Sequence, residues 1–242
     1  MNAILTYHSI DVGGSPISVA PETFASHLGW LTSGAVRVVP LDDLVQGAAG
    51  TDAVSVTFDD GFLNSVPALE RLLDVGIVPT IFAVTGHAGA TNAWGGSDQK
   101  GIPTLPLMSW DDLERLVMRG ARIEAHTRTH PHCTRLAPQQ LADEIVGSRD
   151  DIERRLGRRP PHFAYPYGDL NDAVVNCAKS AFSYAHTTEM RALGVSDDPA
   201  RLPRLDMYYF QADALDAFGT PAFARRLAWI RARRAVKARV FG

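Results

Sequence analysis

Cysteine is scarce: the 242-residue chain holds two, Cys133 and Cys177. They form no Cys-x-x-Cys pair, which excludes the disulfide framework of a small secreted scaffold, and both read as free thiols of a reducing compartment. Long apolar runs are missing as well. None reaches the roughly 18 residues that a membrane-spanning helix needs. The first residues, Met1 to His8, carry neither the basic segment nor the apolar stretch of a secretory leader. These absences set the expectation of a cytoplasmic protein. No period of 20–50 residues recurs, so a solenoid is excluded. Acidic residues are absent from positions 217–242, which hold seven basic ones: Arg225, Arg226, Arg231, Arg233, Arg234, Lys237 and Arg239. The formal charge of −3 therefore divides into −10 over residues 1–216 and +7 beyond them.

What is present is a foldable chain, 45% hydrophobic and 21% charged. Short apolar runs alternate with helical patterns. Strands are expected at Ala3–Tyr7, Val36–Val39, Ala53–Phe58, Thr80–Val84, Arg122–Ala125, Phe163–Tyr165, Phe182–Thr187 and Leu205–Phe210. Helices are expected at Pro21–Leu31, from Leu41, and at Ser65–Val75. Others begin after the capping Ser109 or cover Pro138–Leu156, Asp172–Ser180 and Phe223–Val240. Residues 86–107 have no periodicity and read as a long loop, a feature that is usually functional or mobile. Seven or eight strands alternating with helices imply a parallel α/β sheet, either a barrel or a doubly wound sheet. No linker divides the chain, so one domain is expected.

In such folds the active site lies at the carboxyl ends of the strands. Polar groups fall at four of those ends: His8, the pair Asp59-Asp60, the pair His126 and His130, and Tyr167. Histidines four residues apart share one face of a helical turn and can ligate one metal ion. Such a pair is weak alone, because surface and capping histidines produce it often. Adjacent acids at a strand end commonly cap the next helix. Together, two imidazoles and a carboxylate form a three-ligand site with an open position, a common way to hold catalytic zinc. The second carboxylate is then free to accept a proton from water.

At this point the chain resembles the polysaccharide deacetylases, carbohydrate esterase family four. Thr57-Phe-Asp-Asp-Gly61 is similar to their first motif, His126-Thr-Arg-Thr-His130 to their second, and Phe163-Ala-Tyr-Pro-Tyr-Gly168 to a variant of their third. Ser109-Trp110 and Leu202-Pro-Arg204 agree with many bacterial members. The resemblance runs from Tyr7 to about Asp206. It implies a single distorted (β/α) barrel of about seven parallel strands. Residues 1–216 would form this catalytic unit, and 217–242 a basic C-terminal helix packed on the same domain. It further implies metal-dependent removal of an N-acetyl group from a sugar or glycan. Asp60, His126 and His130 would hold a divalent metal, usually Zn²⁺, and Asp59 would be the general base. The Tyr167 backbone N–H, aimed by a turn containing Pro166, would bind the oxyanion of the substrate.

Three departures matter. Ala164 stands where many members carry an arginine that orients the base, and Arg204 is the candidate replacement. The fourth motif is not recognisable around Phe182–Glu189. The late histidine that usually serves as general acid is missing, and His8 is the candidate acid, with a substrate contact as its alternative. His186 reads as a strand end, and His132 and His162 as structural or surface groups. An O-deacetylase, a cyclic amide hydrolase or a carbohydrate-binding non-enzyme would suit the same scaffold. Chitin-like polymers lie outside the cytoplasm, so a small or lipid-linked N-acetylated sugar is the expected substrate. The basic helix is expected to dock on the barrel, with a membrane surface or an acidic partner as the alternative for its outer face. Nucleic acid is not expected, because the body is acidic and lacks interleaved aromatic and basic residues.

Overall fold

The computed structural model describes residues 1–47, 50, 52–94, 101–210 and 215–241, with side chains described as far as Arg234. Its frame is a parallel sheet. Strands β1 (Ala3–Tyr7), β5 (Ala53–Asp60), β6 (Thr80–Ala83), β7 (Arg122–Ala125), β8 (His162–Ala164) and β9 (Tyr184–His186) follow one another across it. β10 (Leu205–Asp206) flanks β1 on the other side, giving the order β10-β1-β5-β6-β7-β8-β9. A two-residue strand, β4 (Arg37–Val38), adds to β5 at Ala53 and Val54. Every pairing in this sheet is parallel. The seven strands curl into a half-barrel, the distorted (β/α) architecture that the sequence implies.

The two-residue alternation of strands separates two environments. Leu5, Tyr7, Val54, Val56, Phe58, Ile81, Ile123 and Phe163 point outwards into the larger core, beneath the helices. Ile4, Ala53, Phe82 and Ala164 point inwards, where Leu41 and Leu44 of helix α2 (Leu41–Val45) meet them. The covering helices are α1 (Pro21–Thr32), α3 (Val66–Asp74), α4 (Trp110–Met118), α5 (Pro138–Leu156), α6 (Asp172–Ala181) and α7 (Pro221–Phe241). Local chemistry sets their ends. Ser109 and Asp112 form a reciprocal capping box at α4. Asn171 accepts the Val174 N–H at α6, and Gly157 ends α5 at φ +68°.

Several elements differ from expectation. α6 runs on to Ala181, so β9 starts only at Tyr184. The strand expected at Leu205–Phe210 stops at Asp206, whose side chain accepts the Tyr208 N–H and starts a 3₁₀ turn over Met207–Tyr209. A two-strand parallel ribbon, β2 (Ser9–Ile10) with β3 (Ser18–Val19), was not signalled by the sequence. The 86–107 segment is pinned where it is described: Leu107 and Gly89 bond to Ala90 and Met108, and Asn92 holds Pro103 and Leu105. Its residues 95–100 lie outside the described set.

The half-barrel is sutured between β9 and β10 by residues 199–206. Thr187 donates to Leu202 O and Leu202 to Ala185 O, after which Leu205 and Asp206 pair with Leu5 and Thr6. The start of α7 belongs to the core, since Phe223, Leu227 and Ile230 are buried and Phe223 stacks on Phe210. Both cysteines are free thiols.

Candidate active site

β5 delivers two carboxylates. Asp60 has a left-handed backbone, φ +69°, followed by Gly61 at +80°. That break in the strand's alternation lets Asp59 and Asp60 line one cavity of about 100 Å³, together with His8, His126, His130, Trp94 and Tyr167. Neither aspartate caps a helix.

His126 follows β7 directly. Its Nδ1 donates to the Ala164 carbonyl at 2.8 Å, which leaves Nε2 as the lone-pair nitrogen, 3.3 Å from Asp60 Oδ1. His130 Nε2 lies 3.4 Å from the same oxygen. The expected helical turn between the histidines is not what brings them together. Thr127 and His130 are both left-handed, at φ +65° and +58°, and the Thr127 hydroxyl accepts the His130 N–H at 3.0 Å.

Burial works against charge at Asp60, yet the facing imidazoles of His126 and His130 hold its carboxyl well below the usual range. Burial pushes His130 down to about 3, so its ring is neutral at physiological pH. For His126 burial also opposes the charged form, but the nearby Asp60 and Asp59 carboxylates raise it on balance. The three ligand atoms lie within 4.8 Å of one another. Asp60 Oδ1 is buried and finds no hydrogen-bond donor in good geometry. A buried, orphaned carboxylate oxygen opposite two imidazole nitrogens is poor hydrogen bonding but suitable metal ligation, and the N₂O donor set fits a divalent cation. Asp60, His126 and His130 are the only such group among the described residues.

Asp59 faces a different partner. Arg204, from the 199–206 suture, reaches across the barrel and binds it through two nitrogens, Nη1 to Oδ1 at 2.6 Å and Nη2 to Oδ2 at 2.8 Å. Arg204 Nε donates to the Thr187 carbonyl, and Phe82 lies beneath the guanidinium. Burial raises the Asp59 carboxyl, and Arg204, followed by His126 and His8, outweighs it, so Asp59 is held below its ordinary value. His8 Nε2 stands 3.8 Å from Asp59 Oδ2, half-buried at the cavity wall.

The remaining wall is the Pro166–Gly168 turn. Pro166 is buried, while Tyr167 adopts φ +60° and remains 41% exposed as a residue. Gly168 is also left-handed, and a Cβ there would come within 2.1 Å of Thr188 Oγ1. The Tyr167 ring stacks on His132 and meets His130 edge-on. His162 is buried, bonded to Asp42 and His186, and His186 ends β9, both away from the cavity. Trp94 was not anticipated. It packs against the His130 ring at 4.5 Å between centroids, and its only sequence signal was membership of the long loop.

The family profile described as polysaccharide deacetylase matches residues 46–184. The chain belongs to the polysaccharide deacetylase family. Among curated relatives, a chitooligosaccharide deacetylase of Bradyrhizobium sp. (strain ANU 289) is 29% identical over 143 residues, 57% of each chain. The protein YxkH of Bacillus subtilis (strain 168), which bears a polysaccharide deacetylase name, is 27% identical over 193 residues, 77% of this chain and 64% of its own. The chain thus spans less than two thirds of these relatives' length. Among solved structures, the Streptococcus pyogenes deacetylase PplD in complex with acetate superposes with a TM-score of 0.74 at 18% identity, covering 93% of this chain and 96% of that one. IcaB from Ammonifex degensii gives 0.73 at 22%, covering 95% and 97%. At these identities the likeness shows a shared fold. The family match includes Asp59, Asp60, His126, His130 and the Tyr167 turn, whereas His8 and Arg204 lie outside it.

Proposed function

We propose that this member of the deacetylase family removes acetyl groups from the nitrogen of an N-acetylated sugar or glycan, using a divalent metal, most naturally Zn²⁺, held by Asp60, His126 and His130. The observation that carries the reading is the pairing of two settings 1 residue apart on β5: Asp60 turned to two neutral-capable imidazoles, Asp59 clamped as an anion by Arg204. Bound there, the cation would supply Lewis-acid polarisation of a carbonyl and a lowered pKa for water.

The chain's own groups then have distinct tasks. Asp59 accepts the proton of the attacking water, and the planar grip of Arg204 fixes which lone pair faces the cavity. The backbone N–H of Tyr167, presented by the left-handed turn behind Pro166, donates to the oxyanion as the carbonyl becomes tetrahedral. His8, beside Asp59 and partly open to solvent, returns a proton to the departing amine. The outer face of α7, where Arg233 lies over the exposed Trp229 and Arg225 is also exposed, is proposed to rest on an anionic membrane surface.

Acetate release from N-acetylated chitooligosaccharides tests the reading. Chelation should abolish it and added Zn²⁺ restore it. Asp59→Asn should lower kcat by about 10²–10⁴ while leaving metal binding intact, the range expected when a general base is lost. Mass analysis of the product separates amide from ester cleavage. A protein that binds the glycan and zinc but releases nothing would be a binding module instead.

A further inference from the structure

The turn between His126 and His130 is an unfavourable shape for its sequence. Two of its non-glycine residues are left-handed, and the side-chain bonds within it all use the Thr127 hydroxyl, which accepts the His130 N–H and donates to the His126 carbonyl. Something outside must hold it. One side is held by the turn after β6, where Thr85 N donates to Thr127 O at 3.1 Å and Gly86 N to Arg128 O at 2.8 Å. The other side is held by a single carboxylate on α5. Glu144 Oε2 accepts the backbone N–H of Arg128 and of Thr129, each at 2.8 Å, and Oε1 accepts the Thr129 hydroxyl at 2.6 Å. All three bonds end on Arg128 and Thr129, two of the three residues between the histidines. α5 is pressed close here: a Cβ on Gly147 would fall 2.6 Å from Arg128 Cζ. One turn further along, Asp151 takes the Arg128 guanidinium through two bonds, at 2.8 and 2.9 Å.

We propose that Glu144 is the positioning residue of the metal site: its carboxylate holds the turn in the one shape that brings His126 Nε2 and His130 Nε2 to Asp60 Oδ1. It touches none of the three ligands and acts through the backbone between two of them. Adjacent peptide N–H groups converging on one anion form a rigid bracket; an amide side chain could keep one oxygen for the two N–H groups and donate its NH₂ to the Thr129 hydroxyl, but it lacks the charge that strengthens the paired N–H bonds. The inference rests on the reading of Asp60, His126 and His130 as metal ligands. It adds a residue 14 positions beyond the second histidine, on the far side of the turn.

Zinc affinity of the full chain, measured by competition with a chromophoric chelator, tests it without reference to turnover. Glu144→Gln should weaken zinc binding by about 10- to 100-fold, the usual effect of losing a partner that orients ligands. Glu144→Asp should recover part of that loss. Thr129→Val keeps both backbone bonds and should cost only about 2- to 10-fold, as expected for one hydrogen bond. Asp143→Asn, one residue away on the exposed side of α5, should leave affinity unchanged. Wild-type affinity in a folded Glu144→Gln protein overturns the proposal. If that variant does not fold, unchanged affinity in Thr129→Val overturns it instead. A wild-type chain that binds no zinc would remove the metal reading itself, which is a separate failure.

Discussion

Asp59 and Asp60 are neighbours in the chain and opposites in their company, one answered by a guanidinium and the other by two imidazoles. That contrast, more than the acids themselves, supports the proposed division of labour between base and ligand. Arg204 is therefore the residue whose loss should be most informative. Arg204→Met leaves Asp59 buried without its counter-ion, which should cost about 3–5 kcal/mol of stability. It also frees the carboxylate to rotate, so kcat/KM should fall together with the urea midpoint. Arg204→Lys restores charge but not the two-pronged grip, and should recover stability better than kcat/KM. Equal recovery of both would argue that charge alone is needed. The sequence made Asp59, Asp60, His126 and His130 legible because each sits at a strand's carboxyl end within a recognisable motif. Glu144 and Trp94 were not legible. One is an acid on a helix face, the other an aromatic in a loop, and their importance lies in partners 16 and 36 residues away that no local pattern reveals.

Among the elements, α5 carries more than its amphipathic pattern implies. Its inner stripe, Leu141, Ile145 and Ile152, was readable as core. Its polar side turns out to be a latch. Asp151 receives Arg128, Thr85 and Arg154. Burial pushes its carboxyl up, but those donors prevail and hold it below its ordinary 3.8. A carboxyl lowered on folding stabilises the native state above its unfolded pKa, and that contribution is lost as pH falls through the folded value. Urea unfolding of the wild type should therefore weaken as pH drops from about 5 towards 3. Asp151→Asn should be less stable at pH 7 and show a shallower decline over that window. Identical slopes would place the acid sensitivity elsewhere. Strand ends were the least legible feature, because Asp206 starts a turn through its side chain and α6 continues to Ala181 through the backbone bond from Phe182 N–H to Ala178 O, neither of which hydropathy reveals.

At the scale of the whole molecule, the division of charge takes on a geometry. The acidic body supplies the site, and the basic α7 is anchored by Phe223, Leu227 and Ile230 while Trp229 remains 59% exposed with Arg233 over its ring. Deleting residues 217–242 would open the core, so the outer face has to be tested by charge reversal. Arg225→Glu with Arg233→Glu should reduce sedimentation with phosphatidylglycerol vesicles, more so at low salt, and leave acetate release from a soluble substrate unchanged. Equal sedimentation of variant and wild type would refute the membrane contact. Among the described residues no helix is long and apolar enough to cross a membrane. Alternation and strand count made a parallel α/β sheet legible, and the family resemblance made it a barrel; the suture was legible only in part, since the strand expected at Leu205–Phe210 keeps two residues.

That suture has a consequence in time. Asp60, His126 and His130 are all synthesised before residue 131, and Arg204 follows more than 70 residues later. A ribosome-bound chain could thus assemble the ligand set well before it can orient its base. Only when the last short strand docks against β1 does the guanidinium reach Asp59. On the proposed reading of Asp59 as base, hydrolysis would begin only once the barrel is complete.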